Sequence, residues 1–236
     1  MISNSPSPPV PNAHEVLELL EGKYGPPNMI QGRMSPIDEL IACILSQHTS
    51  DVNSFRAFDN LRAKYGSWEE VETADPEEIA DTIRCGGLAN SKSVRIQEVL
   101  RAIRQETGTL NLDCLSELSD TEARDWLLKL PGVGPKTAAI VLCFALGRPV
   151  IPVDTHVFRV AWRMGFIEKK IGEGKAHDVL QALISPEIIF RFHVALINHG
   201  RQTCKAPTPR CKGCIVNSYC RFHSQLESNV PVDVNS

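Results

Sequence analysis

Residues 130–159 read LPGVGPKTAAIVLCFALGRPVIPVDTHVFR, and the rest of the chain is organised around them. Leu130-Pro131 ends one helix and Gly132-Val133-Gly134 makes a tight turn. Pro135 then restarts a helix at the first helical position, where its missing N–H is not needed. The pattern predicts a hairpin between two helices. Gly132 and Gly134 lack a Cβ, so they can take left-handed conformations and bring the backbone close to a ligand, while the amides opening the second helix suit an anion, phosphate above all. Lys136 falls in the first turn of an apolar helix over Thr137 to Leu146, and Asp154 follows 18 positions later, after a Pro-bounded connection. A lysine and a carboxylate are thus expected to converge beside a phosphate-binding hairpin. Read alone, Gly-x-Gly is also an ordinary helix corner, with Lys136 a solvated charge and Asp154 a helix cap.

With 236 residues, 42% of them hydrophobic, the chain can fill a globular core. A net charge of -3 and a pI near 6.2 exclude binding to a polyanion by overall charge. Any nucleic-acid contact must rest on a local basic face and weaken with salt as counterions are released. No run of about 18 apolar residues occurs. The start, MISNSPSPPVPNA, lacks the basic and apolar regions of a secretory signal, so an intracellular protein of the cytoplasm or nucleoid, with no membrane partner, is expected.

The chain reads as helical almost throughout. Val16, Leu17, Leu19 and Leu20 recur at helical spacing over His14 to Tyr24, and Ser35-Pro36-Ile37-Asp38 caps the apolar stretch ELIACILSQ. A helix follows to Gly66 with Val52, Phe55, Phe58 and Leu61 as its apolar positions, then short helices at Trp68 to Thr73 and Asp75 to Cys85. After the break at Gly86-Gly87-Leu88-Ala89-Asn90, Ser91 to Thr107 resumes the period with Val94, Ile96, Val99, Leu100 and Ile103. Ser119 and Glu122 form a capping-box pattern before ARDWLLKL. Beyond Asp154 come Thr155 to Phe166, Gly174 to Ile184 and Pro186 to Arg201. No segment needs a strand, so the fold class is all-α.

Of eight cysteines, Cys43, Cys85, Cys114 and Cys143 are scattered singly, whereas Cys204, Cys211, Cys214 and Cys220 are crowded into 17 residues. In a reducing compartment such a cluster reads as metal ligation and not as disulfides. The chemistry of four thiolates admits either tetrahedral zinc or a four-iron, four-sulfur cluster, although a zinc ribbon usually shows two CxxC knuckles and this loop has one. Lys205, Arg210 and Lys212 lie on or beside the loop and would form a rigid basic knob able to meet phosphates.

Three signatures in this order, the hairpin with Lys136, the VDTH aspartate and the cysteine loop, closely resemble the helix-hairpin-helix DNA glycosylases, and in particular their endonuclease III branch. The resemblance runs from about Asp38 to Cys220 and implies a six-helix barrel domain plus an iron–sulfur cluster domain, with the active cleft between them. It divides the chain into a flexible N-terminal tail (1–12), a barrel domain with the helix-hairpin-helix (29–148), a discontinuous cluster domain (13–28 and 149–223) and a C-terminal tail (224–236). The cysteine spacing matches the family's loop at every interval, so the resemblance implies one [4Fe-4S] cluster. It further implies that ILSQHTSD, with Gln47 and His48, lies beside the lesion. By the same likeness GLANSK carries at Leu88 the wedge that fills the gap when a nucleotide leaves the stack. Leu88 has the alternative of anchoring its own turn in the core.

The implied activity is that of a bifunctional DNA glycosylase and lyase of base excision repair, acting as a monomer on double-stranded DNA with a damaged base or abasic site. Removing a base leaves an electron-poor C1′, and an amine can attack it and hold the sugar as a Schiff base. Lys136 is the candidate; an attacking amine must be unprotonated, which partial burial and the positive end of its own helix favour. Asp154 would stabilise the oxocarbenium-like sugar and help move protons. Oxidised pyrimidines are the substrates the resemblance carries. The chain departs from the family at His48, where many members have glutamine, at Ala89 in place of tyrosine, and at Gly86 in place of a larger apolar residue. The adenine-specific branch typically lacks the lysine and has a further C-terminal domain, whereas 16 residues follow Cys220 here. A thymine- or uracil-mismatch glycosylase and a non-catalytic DNA-binding module are the rival readings, and trapping with borohydride separates the last from an enzyme.

Overall fold

Local capping chemistry sets the helix starts. Asn12 accepts from the amides of His14 and Glu15 to open α1 (Ala13–Tyr24), and Ser35 accepts from Asp38 to open α2 (Pro36–Ser46). Ser50 caps α3 (Asp51–Lys64), Ser67 caps α4 (Trp68–Thr73) and Asp75 caps α5 (Pro76–Thr82). Each such cap stabilises its helix by about 1 kcal/mol. The 19-residue α6 (Ala89–Thr107) has no side-chain cap and starts from Leu88 in a left-handed conformation. Ser119 and Glu122 complete the capping box of α7 (Asp120–Leu128). The helix after the hairpin, α8 (Pro135–Ile140), runs on into a π turn over Val141–Ala145, a rare irregularity that recurs at functional sites. The chain ends with α9 (Thr155–Met164), α10 (Gly172–Leu183), α11 (Ile189–Gln202) and α12 (Arg221–Glu227).

The structure, a computed structural model, describes residues 10–27 and 34–228. Among them there is no strand, so the protein is all-α. No single helix among them is long and apolar enough to cross a membrane. Residues 1–9 of the expected N-terminal tail lie outside the described part, and Asn12 at its end is the α1 cap. The expected tail from residue 224 starts inside α12, which continues to Glu227.

The chain forms two compact units, Gly32–Arg148 and the pair of segments Met1–Gln31 with Pro149–Ser236. In the first, Leu40, Ile41, Ile44 and Leu45 of α2 are fully buried with Leu61, Ile79, Ile96, Leu100 and Leu127. Fully burying each such side chain contributes roughly 1.5–3 kcal/mol. In the second, Val16, Leu17 and Leu20 of α1 are buried together with Val157, Val160, Phe192 and Leu196 of α9 and α11. Phe166 and Phe192 meet edge to face at 5.5 Å.

The helix expected to reach Cys85 stops at Thr82 and tightens into a 3-10 turn over Arg84–Gly86, while the next helix starts two residues earlier than expected, at Ala89. The register of α3 differs as well. Val52 and Phe55 are 76% and 61% exposed, and the inward face is Ser54, Ala57 and Leu61. Small residues win this face because the 3-10 turn closes on it: a Cβ on Gly86 would lie 3.0 Å from the Cβ of Ala57. A larger residue at Gly86 would push the turn away. Val94 is likewise exposed, at the edge of the α6 stripe.

Candidate active site and nucleic-acid interface

In the first unit the hairpin is built by backbone bonds. Leu130 and Val133 are buried, the Val133 amide donates to the Leu130 carbonyl at 3.2 Å, and the Ala138 amide donates to Gly134 at 3.0 Å. Gly132 has φ +72, which a side chain would strain, whereas Gly134 at φ -102 is extended and caps α8 without a side-chain bond. The opening amides of α8 therefore stand without a capping side chain, the local arrangement that suits a phosphate. Lys136 follows in the first turn. It is exposed, against the partial burial expected, because Thr137, Ala138 and Ala139 take the inward face of this short helix. Its ammonium is near enough to act on the thiol of Cys43 on α2, which burial pushes up and the Glu39 carboxylate raises further. The Cys43 Sγ lies 4.0 Å from Glu39 Oε1, and burial pushes the Glu39 carboxyl up to about 7.

In the second unit Asp154 is the N-cap of α9. Its Oδ1 accepts from the Val157 amide at 2.7 Å and its carbonyl accepts from Phe158 at 2.8 Å, so the carboxylate is held at the positive end of a helix and is part-exposed. Being a cap and being a catalytic carboxylate are compatible roles. One turn on, Arg159 donates to the Cys204 carbonyl from Nε and to the Gly200 carbonyl from Nη2, each at 3.0 Å. It thereby ties α9 to the start of the cysteine loop.

The first unit also carries the two segments expected at the lesion. Gln47 and His48 are exposed just past α2, and Leu88 is 58% exposed at the tip before α6, so it does not anchor its turn in the core. Among the described residues His48 (φ 55) and Leu88 (φ 50) are the two non-glycine residues with left-handed backbone. Such conformations cost about 1–3 kcal/mol each and persist where the surroundings over-determine them. Here the bracing is Lys92, whose ammonium donates to the Leu45 carbonyl at 2.7 Å and to the Gly86 carbonyl at 2.9 Å.

The four clustered cysteines line one small cavity of about 20 Å³. No three His, Cys, Asp or Glu side chains among the described residues are placed to hold a metal ion. Arg163 donates from Nη1 to Cys204 Sγ at 3.5 Å, and His199 Nε2 is 3.8 Å from Cys214 Sγ. Arg163 is buried, stacks 5.0 Å over Phe222, donates to the Lys205 carbonyl and leaves Nε without a partner. Its bonded partners are one sulfur and one carbonyl, with no carboxylate to neutralise the buried charge. The Tyr24 hydroxyl braces the same side, 2.7 Å from Thr203 Oγ1 and 3.0 Å from His199 Nδ1. Lys205, Arg210 and Lys212 are all exposed on the loop.

Over residues 41–186 the sequence matches the HhH-GPD superfamily of base excision DNA repair proteins. Endonuclease III of Thermotoga maritima is 34% identical over 188 residues, 80% of this chain and 84% of that protein. The chain belongs to the HhH-GPD superfamily, in its endonuclease III branch. Endonuclease III of Escherichia coli K12 is 33% identical over 214 residues, 90% of this chain and 96% of that one. A protein of Arabidopsis thaliana named as a DNA glycosylase is 37% identical over 78% of the chain, which spans 63% of that protein. A solved non-covalent endonuclease III–DNA complex superposes with a TM-score of 0.76 at 29% identity, covering 92% of this chain and 99% of that one. A trapped endonuclease III–DNA covalent intermediate gives 0.74 at 30% identity, covering 91% of this chain and 96% of that one. This HhH-GPD protein is a DNA glycosylase of base excision repair.

Several site residues of this HhH-GPD chain escape a reading of its sequence. Lys92 occupies the inward stripe of α6, four residues before Ile96, and a lysine at that register is the signal that was available. Arg163 sits inward on α9 in the same way, between Val160 and Met164. Glu39 gives no such signal, since an acidic residue in the first turn of a helix is ordinary.

Proposed function

We propose that this glycosylase is bifunctional, removing oxidised pyrimidines from double-stranded DNA and cutting the strand at the resulting abasic site, as a monomer. Gly132, Val133 and Gly134 hold the phosphate backbone through hairpin amides, and Leu88, Gln47 and His48 occupy the gap left by the displaced nucleotide. The Lys136 amine attacks C1′. A nitrogen–carbon bond forms there as the glycosidic bond breaks and the base leaves with the bonding pair and a proton. Asp154 stabilises the positive charge on the sugar, which lowers the barrier only if the carboxylate is already held in place, as its capping bond holds it. The adduct opens to a Schiff base, the C2′ proton is lost, and the C3′–O bond breaks to release the 3′ phosphate. Hydrolysis of the imine returns the amine.

The observation that carries this reading is the position of Lys136, an exposed amine on the first turn of the helix whose opening amides have no side-chain cap. We further propose that Cys204, Cys211, Cys214 and Cys220 hold one [4Fe-4S] cluster. What supports it is the spacing of the four cysteines, the single cavity that all four line, and a buried arginine that donates to Cys204 Sγ and has no carboxylate partner. The cluster would stiffen the loop that presents Lys205, Arg210 and Lys212 to phosphates.

A panel of duplexes with single defined lesions, each treated with borohydride, tests the reading on protein purified anaerobically. Release of oxidised pyrimidines with a trapped adduct, from protein carrying about four irons per chain, is the expected result. Preferential release of thymine or uracil from mismatches without an adduct would replace it with the mismatch reading, and zinc without iron would remove the cluster.

A further inference from the structure

Lys92 is 4% exposed, at the start of α6, and none of its bonded partners is a carboxylate. Its two acceptors are both carbonyls at helix ends. Leu45 lies in the last turn of α2, where carbonyls have no amide four residues on to receive, and Gly86 closes the 3-10 turn before the α6 tip. An ammonium has three donors and no acceptor, so it can bond two such carbonyls at once while facing the negative ends of both helical segments. Leu45 is three residues before His48, and Gly86 is two before Leu88. One buried cation therefore holds the backbone next to each of the two strained, exposed tips. Plain packing would be served by a leucine or methionine at this inward position; a desolvated charge is worth keeping where two orphaned carbonyls must be held at a set separation.

We infer that Lys92 is a positioning residue for lesion recognition, locking the Gln47–His48 turn and the Leu88 tip to one another so that both enter the duplex as a unit. It touches no substrate and acts through the two tips. The inference rests on the proposed role of those tips at the lesion, and goes beyond it by naming what fixes their spacing.

The test compares excision from a paired lesion with cleavage at a pre-formed abasic site, where unpairing has little left to cost. Lys92→Met keeps the length of the side chain and removes its donors. It is expected to slow paired-lesion excision by about tenfold or more while leaving abasic cleavage within about twofold, and to add under about threefold in a Leu88→Ala background, because two residues acting through one tip are not additive. Lys92→Gln, which retains a donor for one carbonyl, is expected to fall between Lys92→Met and wild type, and serves as the reading if Lys92→Met does not fold. Equal losses on both substrates, full multiplication with Leu88→Ala, or a folded Lys92→Gln with the wild-type ratio would overturn the inference. If Leu88→Ala itself leaves paired-lesion excision unchanged, the tip reading fails instead, and the two failures are distinct.

Discussion

The side chain of Arg95 lies over the α-carbon of Gly132, so that a Cβ there would meet Arg95 Cδ at 2.8 Å and Nε at 2.9 Å. A basic side chain from α6 thereby covers the hairpin turn, its guanidinium paired with Glu98 at 2.9 Å. The two glycines of the hairpin consequently face different demands. Gly132 combines φ +72 with this contact, while Gly134 has φ -102 and nothing within 4 Å of its missing Cβ. Gly132→Ala is expected to destabilise the fold by roughly 1–2 kcal/mol and to weaken DNA binding, measured by thermal melting and by titration at two salt concentrations. Gly134→Ala should melt like wild type. Equal effects at the two positions would show that the turn is not held as described.

Leu88 separates stability from recognition. Its side chain is exposed and its backbone is left-handed, so it adds little to the core while straining the chain. Leu88→Gly relieves the strain and deletes the wedge. No fall in melting temperature is expected, because relief of a left-handed residue at about 1 kcal/mol offsets the added freedom of glycine in the unfolded chain. Excision of a paired lesion should drop sharply in the same protein. A variant that loses stability and abasic cleavage together would place Leu88 in the fold and not in the duplex.

Glu39 gives the fold a pH dependence. Burial raises its carboxyl from the ordinary value of 4.5 to about 7, so the folded state binds a proton more tightly than the unfolded one across that interval. Stability contributed by the protonated carboxyl is complete below about 4.5 and is lost as pH rises through about 7. Glu39→Gln keeps the neutral shape at every pH. It should melt higher than wild type at pH 8, by an amount corresponding to about 3 kcal/mol, and approach it near pH 5. A constant difference between the two proteins across that range would contradict the assignment.

Much of this was legible in the sequence because it is local. The hairpin, the Ser119–Glu122 capping box and the start of α8 at Pro135 are each decided by a few adjacent residues. The direction in which α3 faces was not, since Val52, Phe55, Phe58 and Leu61 make a better helical stripe than Ser54, Ala57 and Leu61, and only the close approach of Gly86 to Ala57 decides between them. The bracing of the two tips is a contact across 47 residues, from Lys92 to Leu45, which no local pattern announces. Lys136 lies in the first turn of α8 as its sequence position implies, but exposed and not partly buried, because Thr137, Ala138 and Ala139 fill the inward face of this six-residue helix.

In the mechanism proposed here one amine, that of Lys136, forms the bond to the sugar. The most direct measurement is to trap wild-type protein with borohydride on a duplex carrying an oxidised pyrimidine, digest it, and locate the modified peptide by mass spectrometry, with Lys136→Gln run in parallel. A sugar remnant is expected on the peptide containing Lys136, with no adduct from Lys136→Gln, which should still bind the damaged duplex through the hairpin amides and the basic loop. A remnant on another lysine or on the N-terminal amine, or normal trapping by Lys136→Gln, would contradict this mechanism.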